Sequence, residues 1–420
     1  MHRQITRLIA FLASIGLLGL SAINTHPAAR AASDTVSGSE VVVKLVRSSD
    51  LAAIAAEYGL NPIPLDRFIS QPLYRLKITD GSSPNDKADA LLADPQGRVV
   101  YAESNLVSQA PEKSARVTWS VGGDAGAYVA QWAANKIRLP EAHLLTRGAG
   151  ITVAVLDTGV DATHPALAGR LVAGYDFVDN DADPSEVGNH TQNPTFGHGT
   201  HVAGLVALAA PDAKIMPLRV LDQDGVGDIW RLAKAMAFAM DPDGNPATND
   251  GAQVINLSLS TVERSDLLRD VIKATICNDG SKTQSSDDLP CFSTRGAVVA
   301  VAVGNNASQE PEYPAGDGRN GMISVGASTQ SDKKAVFSNF GSWVMVLAPG
   351  EGVLSSVPGG QFGTWSGTSM ATPLVAGEAA LVRARFPSLK PAKVTQRIVD
   401  TSDQINTPVR RRINAAAAVR

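Results

Sequence analysis

Residues 151–157 read Ile-Thr-Val-Ala-Val-Leu-Asp. An almost unbroken β-prone apolar run stops at a carboxylate, Asp157, and Thr158-Gly159 follow. A run without polar alternation suits a strand buried on both faces, as in a parallel sheet covered by helices. In open α/β sheets ligands gather at the C-terminal strand ends, where Asp157 would stand. Taken alone, the same features also describe an aspartate in a turn or helix cap. Two similar runs lie further on. Residues 254–260, Val-Ile-Asn-Leu-Ser-Leu-Ser, end near Ser258, and residues 298–305, Val-Val-Ala-Val-Ala-Val-Gly-Asn, end in Gly304-Asn305.

Two other segments carry reactive groups. In Phe-Gly-His-Gly-Thr-His-Val-Ala-Gly-Leu-Val, residues 196–206, His198 sits between glycines at the mouth of an apolar helix, with His201 three residues on. No glutamate lies between them, so the zinc pattern H-E-x-x-H is absent. His198 is the candidate base and His201 reads as structural. In Gly367-Thr368-Ser369-Met370-Ala371-Thr372-Pro373 a serine lies among small residues before an apolar helical run. A serine hydroxyl becomes a useful nucleophile only beside a base and with room for a carbonyl. A helix beginning there aims free N–H groups and its dipole at an oxyanion. By itself the segment is also an ordinary tight turn with a helix cap.

The order Asp157, His198, Ser369, in the motifs V-A-V-L-D-T-G-V-D, G-H-G-T-H-V-A-G and G-T-S-M-A-T-P, resembles subtilisin-type serine proteases. The resemblance runs from about residue 130 to about residue 417. It implies an α/β fold, a parallel sheet with helices on both faces, and endopeptidase activity through an acyl-enzyme, without a cofactor. It implies Ser369 as nucleophile, His198 as general base and Asp157 as the group that orients it. The Asn305 side chain and the Ser369 backbone N–H are the implied oxyanion donors. Ser258, Leu259 and Ser260 match one wall of the pocket for the residue before the cleaved bond, and Ala302, Val303 and Gly304 the other. Val226 and Gly227 match a second strand that pairs with the substrate. Asp228 beside them either favours basic residues or is a solvated loop aspartate. The family usually has glycine where this chain has Ser260, which bears on specificity rather than on the chemistry. Residues 335–350 match the family's approach to the serine motif and read as scaffold.

Many relatives of this type carry structural calcium. The family's strongest site is expected to be missing, because Ala166 replaces a usual aspartate and the helix from His201 runs directly into the strand Ile-Met-Pro-Leu-Arg-Val-Leu. Residues 176–183, Asp-Phe-Val-Asp-Asn-Asp-Ala-Asp, are similar to another calcium loop and point to Asp176, Asp179 and Asp181. A solvated acidic loop is the equal alternative. Asp-Pro-Asp-Gly-Asn, residues 241–245, reads as a turn, lacking the later glutamate of an EF-hand.

The chain begins with Arg3 and Arg7, an apolar run over residues 8–20, and Ala29-Arg30-Ala31, the three parts of a secretory signal peptide assigned to residues 1–32. That apolar core is short for a membrane span. An exported chain with only two cysteines, Cys277 and Cys291, is expected to join them. Closing a loop of about 15 residues corresponds to about 3 kcal/mol in the chain-entropy account. Residues 33–105 alternate strand and helix patterns as a small α+β domain. This segment looks like a subtilisin-type propeptide, which in that family templates folding and blocks the cleft with its C-terminal tail; a retained accessory domain is the alternative. Residues 106–129, with Pro111, Gly122, Gly123 and Gly126, read as a linker holding the processing site, and 130–420 as the catalytic domain.

A net charge of −4 gives no basic excess for nucleic acid, and Arg410-Arg411-Arg412 is a short solvated run. The expected partners are polypeptide substrates and the chain's own propeptide, with no stable membrane insertion, in a secreted monomer. An esterase would call for G-x-S-x-G and acid after serine. A non-catalytic scaffold would call for a broken triad.

Overall fold

A computed structural model describes residues 36–68, 71–115, 120–245, 248, 250–277 and 288–420. The expected signal peptide, residues 1–32, lies outside the described residues. The central sheet orders its strands 175–176, 214–219, 152–157, 254–257, 298–302, 322–328 and 346–349, all parallel, and ends on the short strands 411–412 and 403–404. Sequence order reverses at the strand Thr152–Asp157. It lies between Lys214–Arg219 and Val254–Leu257, with Asp157 level with Arg219 and Leu156 level with Leu257. A crevice opens at such a switch point, beyond the carboxyl ends of the strands.

The unbroken apolar run at 152–157 is explained by cover on both faces. Val153 and Val155 pack with the helices His198–Ala209 and Thr368–Arg385, whereas Ala154 and Leu156 pack with Ile229–Met240 and Asp266–Ile276. Both layers are almost wholly apolar, so the four helices are held by burial rather than by polar pairs. Glu378, inside the helix Thr368–Arg385, is one exception. It is fully buried, neither carboxylate oxygen has a partner, and burial pushes its pKa from 4.5 to about 8, with Asp403 adding to the rise. The native state therefore binds this proton more tightly than the unfolded chain does. Its contribution is complete below pH 4.5 and is lost as pH rises through about 8. Glu378→Gln should flatten that alkaline loss. The check is thermal unfolding of both proteins across this range, where the variant's relative stability should grow with pH.

The N-terminal segment forms strands Val36–Leu45, Leu73–Lys77 and Val99–Gln109 with helices Leu51–Glu57 and Pro84–Leu92, matching the expected alternation. Val41 and Val43 face its own two helices. Val42 and Tyr101, on the other face, join the core beneath the helices 229–240 and 266–276. Polar groups fix that docking. The Glu103 carboxylate accepts the N–H groups of Asp266 and Leu267 and the Ser265 hydroxyl, capping one helix. Asn105 Oδ1 accepts the N–H of Trp230 near the start of the other. Lys44 pairs with Asp270 at 2.5 Å.

The expected linker differs from its reading. The last strand runs past residue 105 to Gln109, a short helix Pro111–Ala115 follows, and Asp124 caps a helix Ala125–Ala130. Pro and Gly content signalled a loop, but backbone pairing with the catalytic half keeps the first part extended. Cys277 and Cys291 form a disulfide, their Cα atoms 5.5 Å apart. Among the described residues no helix is long and apolar enough to cross a membrane.

Candidate active site

Three chain segments meet at the switch point. Asp157 ends its strand, His198 begins a helix after Gly197, and Ser369 is the second residue of the helix that starts at Thr368. Asp157 Oδ1 is 2.6 Å from His198 Nδ1 and also accepts the N–H of Thr158 at 2.8 Å. Both side chains are buried. The row does not pass directly from imidazole to serine. Between them stands Glu112, from the short helix Pro111–Ala115. Its Oε2 accepts the Ser369 hydroxyl at 2.6 Å and lies 3.0 Å from His198 Nε2, and its Oε1 accepts Asn305 Nδ2 at 2.8 Å.

Both ring nitrogens of His198 thus face carboxylate oxygens, which only accept, so the ring is held as an imidazolium. Burial alone would lower the pKa of His198, but the charges and hydrogen bonds of Asp157 and Glu112 outweigh it and raise it from 6.5 to about 10. Burial pushes the Glu112 carboxyl the other way, and His198, Ser369 and Asn305 together hold it below 4.5.

Asn305 is aimed by its own acceptor. Its Oδ1 takes the N–H and the hydroxyl of Thr368, each at 2.9 Å, which leaves Nδ2 to donate into the cleft. Gly367 keeps that place open, since a Cβ there would stand 1.8 Å from Glu112 Oε1. His201 Nε2 lies 3.2 Å from the carbonyl oxygens of Val353 and Gly363, and burial lowers its pKa to about 3, consistent with a neutral structural ring.

The cleft walls lie beside this centre. Ser258 Oγ donates to the Ser369 carbonyl at 3.0 Å. Gln109 exchanges backbone hydrogen bonds with Ser260 at 2.9 and 3.0 Å, and Ala110 N–H reaches Gly225 O at 3.0 Å. On the other side Gln109 and Ser108 pair antiparallel with Val226 and Gly227. Residues 107–110 are therefore a peptide strand held between the two arms expected to hold a substrate. At Pro111 the chain leaves that path. Lys113 N–H donates to the Ala110 carbonyl, and the Glu112 side chain meets the Ser369 hydroxyl.

Several expected contacts take other roles. Leu259 and Val303 turn their side chains into the core, and the Val303 peptide is already used, its N–H by Val325 O and its carbonyl by Asn339. Ala302 ends a core strand beside them. Asp228 is buried and caps the helix Ile229–Met240 through the N–H of Arg231, so it is not free to select basic residues. The Ser260 hydroxyl, which a glycine would lack, donates to Glu312 at 2.5 Å.

The calcium reading of the acidic loop does not fit. Arg219 Nη1 lies 2.6 Å from Asp176 and 2.5 Å from Asp179, which supplies the positive charge those carboxylates need. Asp181 points elsewhere, to the N–H of Asp183. Residues 241–245 form a turn, where Asp241, Asp243 and Asp250 come together at the surface.

Sequence reading missed Glu112, Thr368, Glu312 and Glu186. Glu186 accepts the N–H groups of Gly197 and Thr200 and the hydroxyls of Thr158 and Thr200, tying the end of the Asp157 strand to the start of the His198 helix. Burial raises its pKa to about 7 despite these donors, with the Asp157 charge adding to the rise. An acidic residue ahead of a glycine-rich helix start was the available signal.

Residues 148–415 match the Subtilase family of peptidases. The chain is 33% identical over 381 residues to a thermophilic serine proteinase of a Bacillus species (strain AK1), covering 87% of this chain and 82% of that one. It is 36% identical over 304 residues to thermitase of Thermoactinomyces vulgaris, covering 69% of this chain and 95% of that one. A solved protease of Pseudoalteromonas arctica superposes with a TM-score of 0.60 at 29% identity, over 71% of this chain and 99% of that one. Fervidolysin of Fervidobacterium pennivorans shares the fold over 92% of this chain and 61% of its own, with a TM-score of 0.70 at 23% identity. With the family motifs in order along the chain, Asp157 bonded to His198, and His198, Ser369 and Asn305 gathered around one carboxylate, this chain belongs to the subtilase family and is a subtilisin-like serine endopeptidase.

Proposed function

We propose that the chain is the latent precursor of a secreted endopeptidase, with Asp157, His198, Ser369 and Asn305 as its machinery and residues 36–115 as its inhibitory, fold-templating propeptide. The observation that carries this reading is the Glu112 carboxylate, whose two oxygens are held by Ser369, His198 and Asn305 at once. One oxygen stands where a carbonyl oxygen would develop charge, the other where attack and departure would take place. With Glu112 withdrawn, Ser369 Oγ attacks the scissile carbon as its proton passes to His198 Nε2. Asp157 holds Nδ1–H and stabilises the imidazolium. Asn305 Nδ2 receives the negative oxygen. His198 then protonates the departing amine as the C–N bond breaks, and water hydrolyses the acyl-Ser369 ester by the same route. The signal-like residues 1–32 and the disulfide support export. The test is the processed protein with a mixed peptide library. Peptide cleavage blocked by a serine-directed fluorophosphonate is expected. Turnover of esters alone, or inertness once residues 36–115 are gone, would refute the reading.

The plug has a pH signature. The charged groups facing His198 are Asp157 and Glu112, with Glu186 behind Asp157. Asp157 and Glu112 together raise the His198 pKa from 6.5 to about 10, and opening removes only the Glu112 part of that rise, so the His198 share of the closing energy is complete at low pH and fades as pH climbs toward 10. Glu112 is held below 4.5, so its share is complete above pH 4.5 and is lost only when pH falls through that lowered value. Glu112→Ala should react with a fluorophosphonate faster than the intact wild-type chain by roughly tenfold or more near pH 6. The ratio should shrink toward pH 9. Equal labelling rates at both pH values would show that Glu112 does not shield the serine.

A further inference from the structure

The two segments expected to wall the slot for the residue before the cleaved bond, Ser258–Ser260 and Ala302–Gly304, are bridged by a carboxylate. Glu312 Oε2 accepts Ser260 Oγ at 2.5 Å from one wall. Its Oε1 accepts Asn306 Nδ2 at 2.5 Å and Asn339 Nδ2 at 3.1 Å, and the same Asn339 nitrogen holds the Val303 carbonyl of the other wall. Gly304, with φ of +97°, lies directly against it, since a Cβ there would be 2.5 Å from Glu312 Cδ. The next residue is Asn305. Thr261 and Tyr313, the residues that follow Ser260 and Glu312, exchange backbone hydrogen bonds at 2.8 and 2.9 Å and hold the two segments together. The Glu312 side chain is thus fixed across the slot by three neutral donors, and among the described residues no lysine, arginine or histidine pairs with it. Asp228, the acidic residue next to the expected substrate strand Val226-Gly227, is buried and has Arg231 at 3.4 Å. A carboxylate held in place but left without a cation is a ready receptor for one, and a charge-assisted contact is stronger than a neutral one.

We propose that Glu312 makes this enzyme select lysine or arginine as the residue immediately before the cleaved bond. This rests on the reading of Ser369 and Asn305 given above. The expected processing segment, residues 106–129, contains just two basic residues, Lys113 and Arg116, and cleavage after Arg116 is the one that removes all of residues 36–115, so the processed chain should begin at Val117.

The experiment uses the processed enzyme and peptides identical except for arginine, lysine, alanine, leucine or phenylalanine before the cleaved bond. Arginine and lysine peptides should exceed the leucine and phenylalanine peptides in kcat/KM by roughly tenfold or more. That advantage should fall with added salt, which weakens a partly exposed ion pair and leaves apolar contacts in place. In Glu312→Gln the arginine-to-alanine ratio should drop by about tenfold, the loss of one charged contact. A preference for leucine or phenylalanine in the wild-type enzyme would overturn the proposal, as would an unchanged ratio in Glu312→Gln. Should that variant fail to fold, the wild-type ratios and their salt dependence decide alone. Fluorophosphonate inhibition of alanine-peptide cleavage reports on the triad separately, so an enzyme that cleaves the alanine peptide and rejects basic ones refutes Glu312 as selector while leaving Ser369 standing.

Discussion

Ser369→Ala should remove peptide hydrolysis, by about a millionfold in kcat, the size that loss of the nucleophile has in subtilisin. It should also leave the precursor uncut. The two effects separate catalysis from folding, because Ser369 gives the closed form only one of the three contacts to Glu112. Asn305 and His198 keep their hold on that carboxylate, and the docking contacts of Glu103, Asn105 and Lys44 do not involve the serine. The variant should therefore unfold near the wild-type temperature and migrate as the full chain on a denaturing gel. Trimming to the wild-type amino terminus would mean that another protease performs the maturation. Residual cleavage at more than a small fraction of the wild-type rate would mean that a different nucleophile carries the reaction.

How much of this was legible in the chain depended on whether a feature is local. The strand Thr152–Asp157 announced itself, because cover on both faces demands apolar residues along its interior, and Val153 to Leu156 show that directly. The serine and histidine motifs were equally plain, since small residues must surround a group that a substrate approaches. Glu112 was not legible. Pro-Glu-Lys-Ser-Ala carries no periodicity, and the groups that hold its second residue lie 86, 193 and 257 positions away. Glu312 stayed hidden for the same reason, 52 positions from Ser260. The acidic run 176–183 misled because four carboxylates close together call for a cation, and the run itself does not disclose which one. The structure supplies Arg219, from the adjoining strand Lys214–Arg219, where parallel pairing sets it level with Asp176. Asp228 misled differently. The sequence leaves it either as a group favouring basic residues or as a solvated loop aspartate, whereas the helix Ile229–Met240 begins at the next position and takes its carboxylate as a cap.

Asn305→Ala should lower kcat by about 100- to 1,000-fold, the range found when a side-chain oxyanion donor is removed in subtilisin. KM should change little, because Nδ2 donates to an oxygen whose charge develops only in the transition state. A KM that rises in proportion while kcat holds would assign Asn305 to substrate binding instead. Asn305→Asp sharpens the test. An aspartate still accepts the N–H and hydroxyl of Thr368, so the turn before Ser369 keeps its support. It has no donor for the oxyanion and carries a negative charge toward it, so its kcat should be no better than that of Asn305→Ala. The same charge would face the Glu112 carboxylate across the 2.8 Å contact that Asn305 now makes with it. Like charges at that distance repel, and the unprocessed Asn305→Asp chain should therefore admit small serine-directed probes and bind residues 36–115 less firmly than wild type. A variant that loses turnover while its precursor stays fully closed would show that Asn305 does not hold the plug. One that opens while keeping wild-type turnover would remove Asn305 from the chemistry.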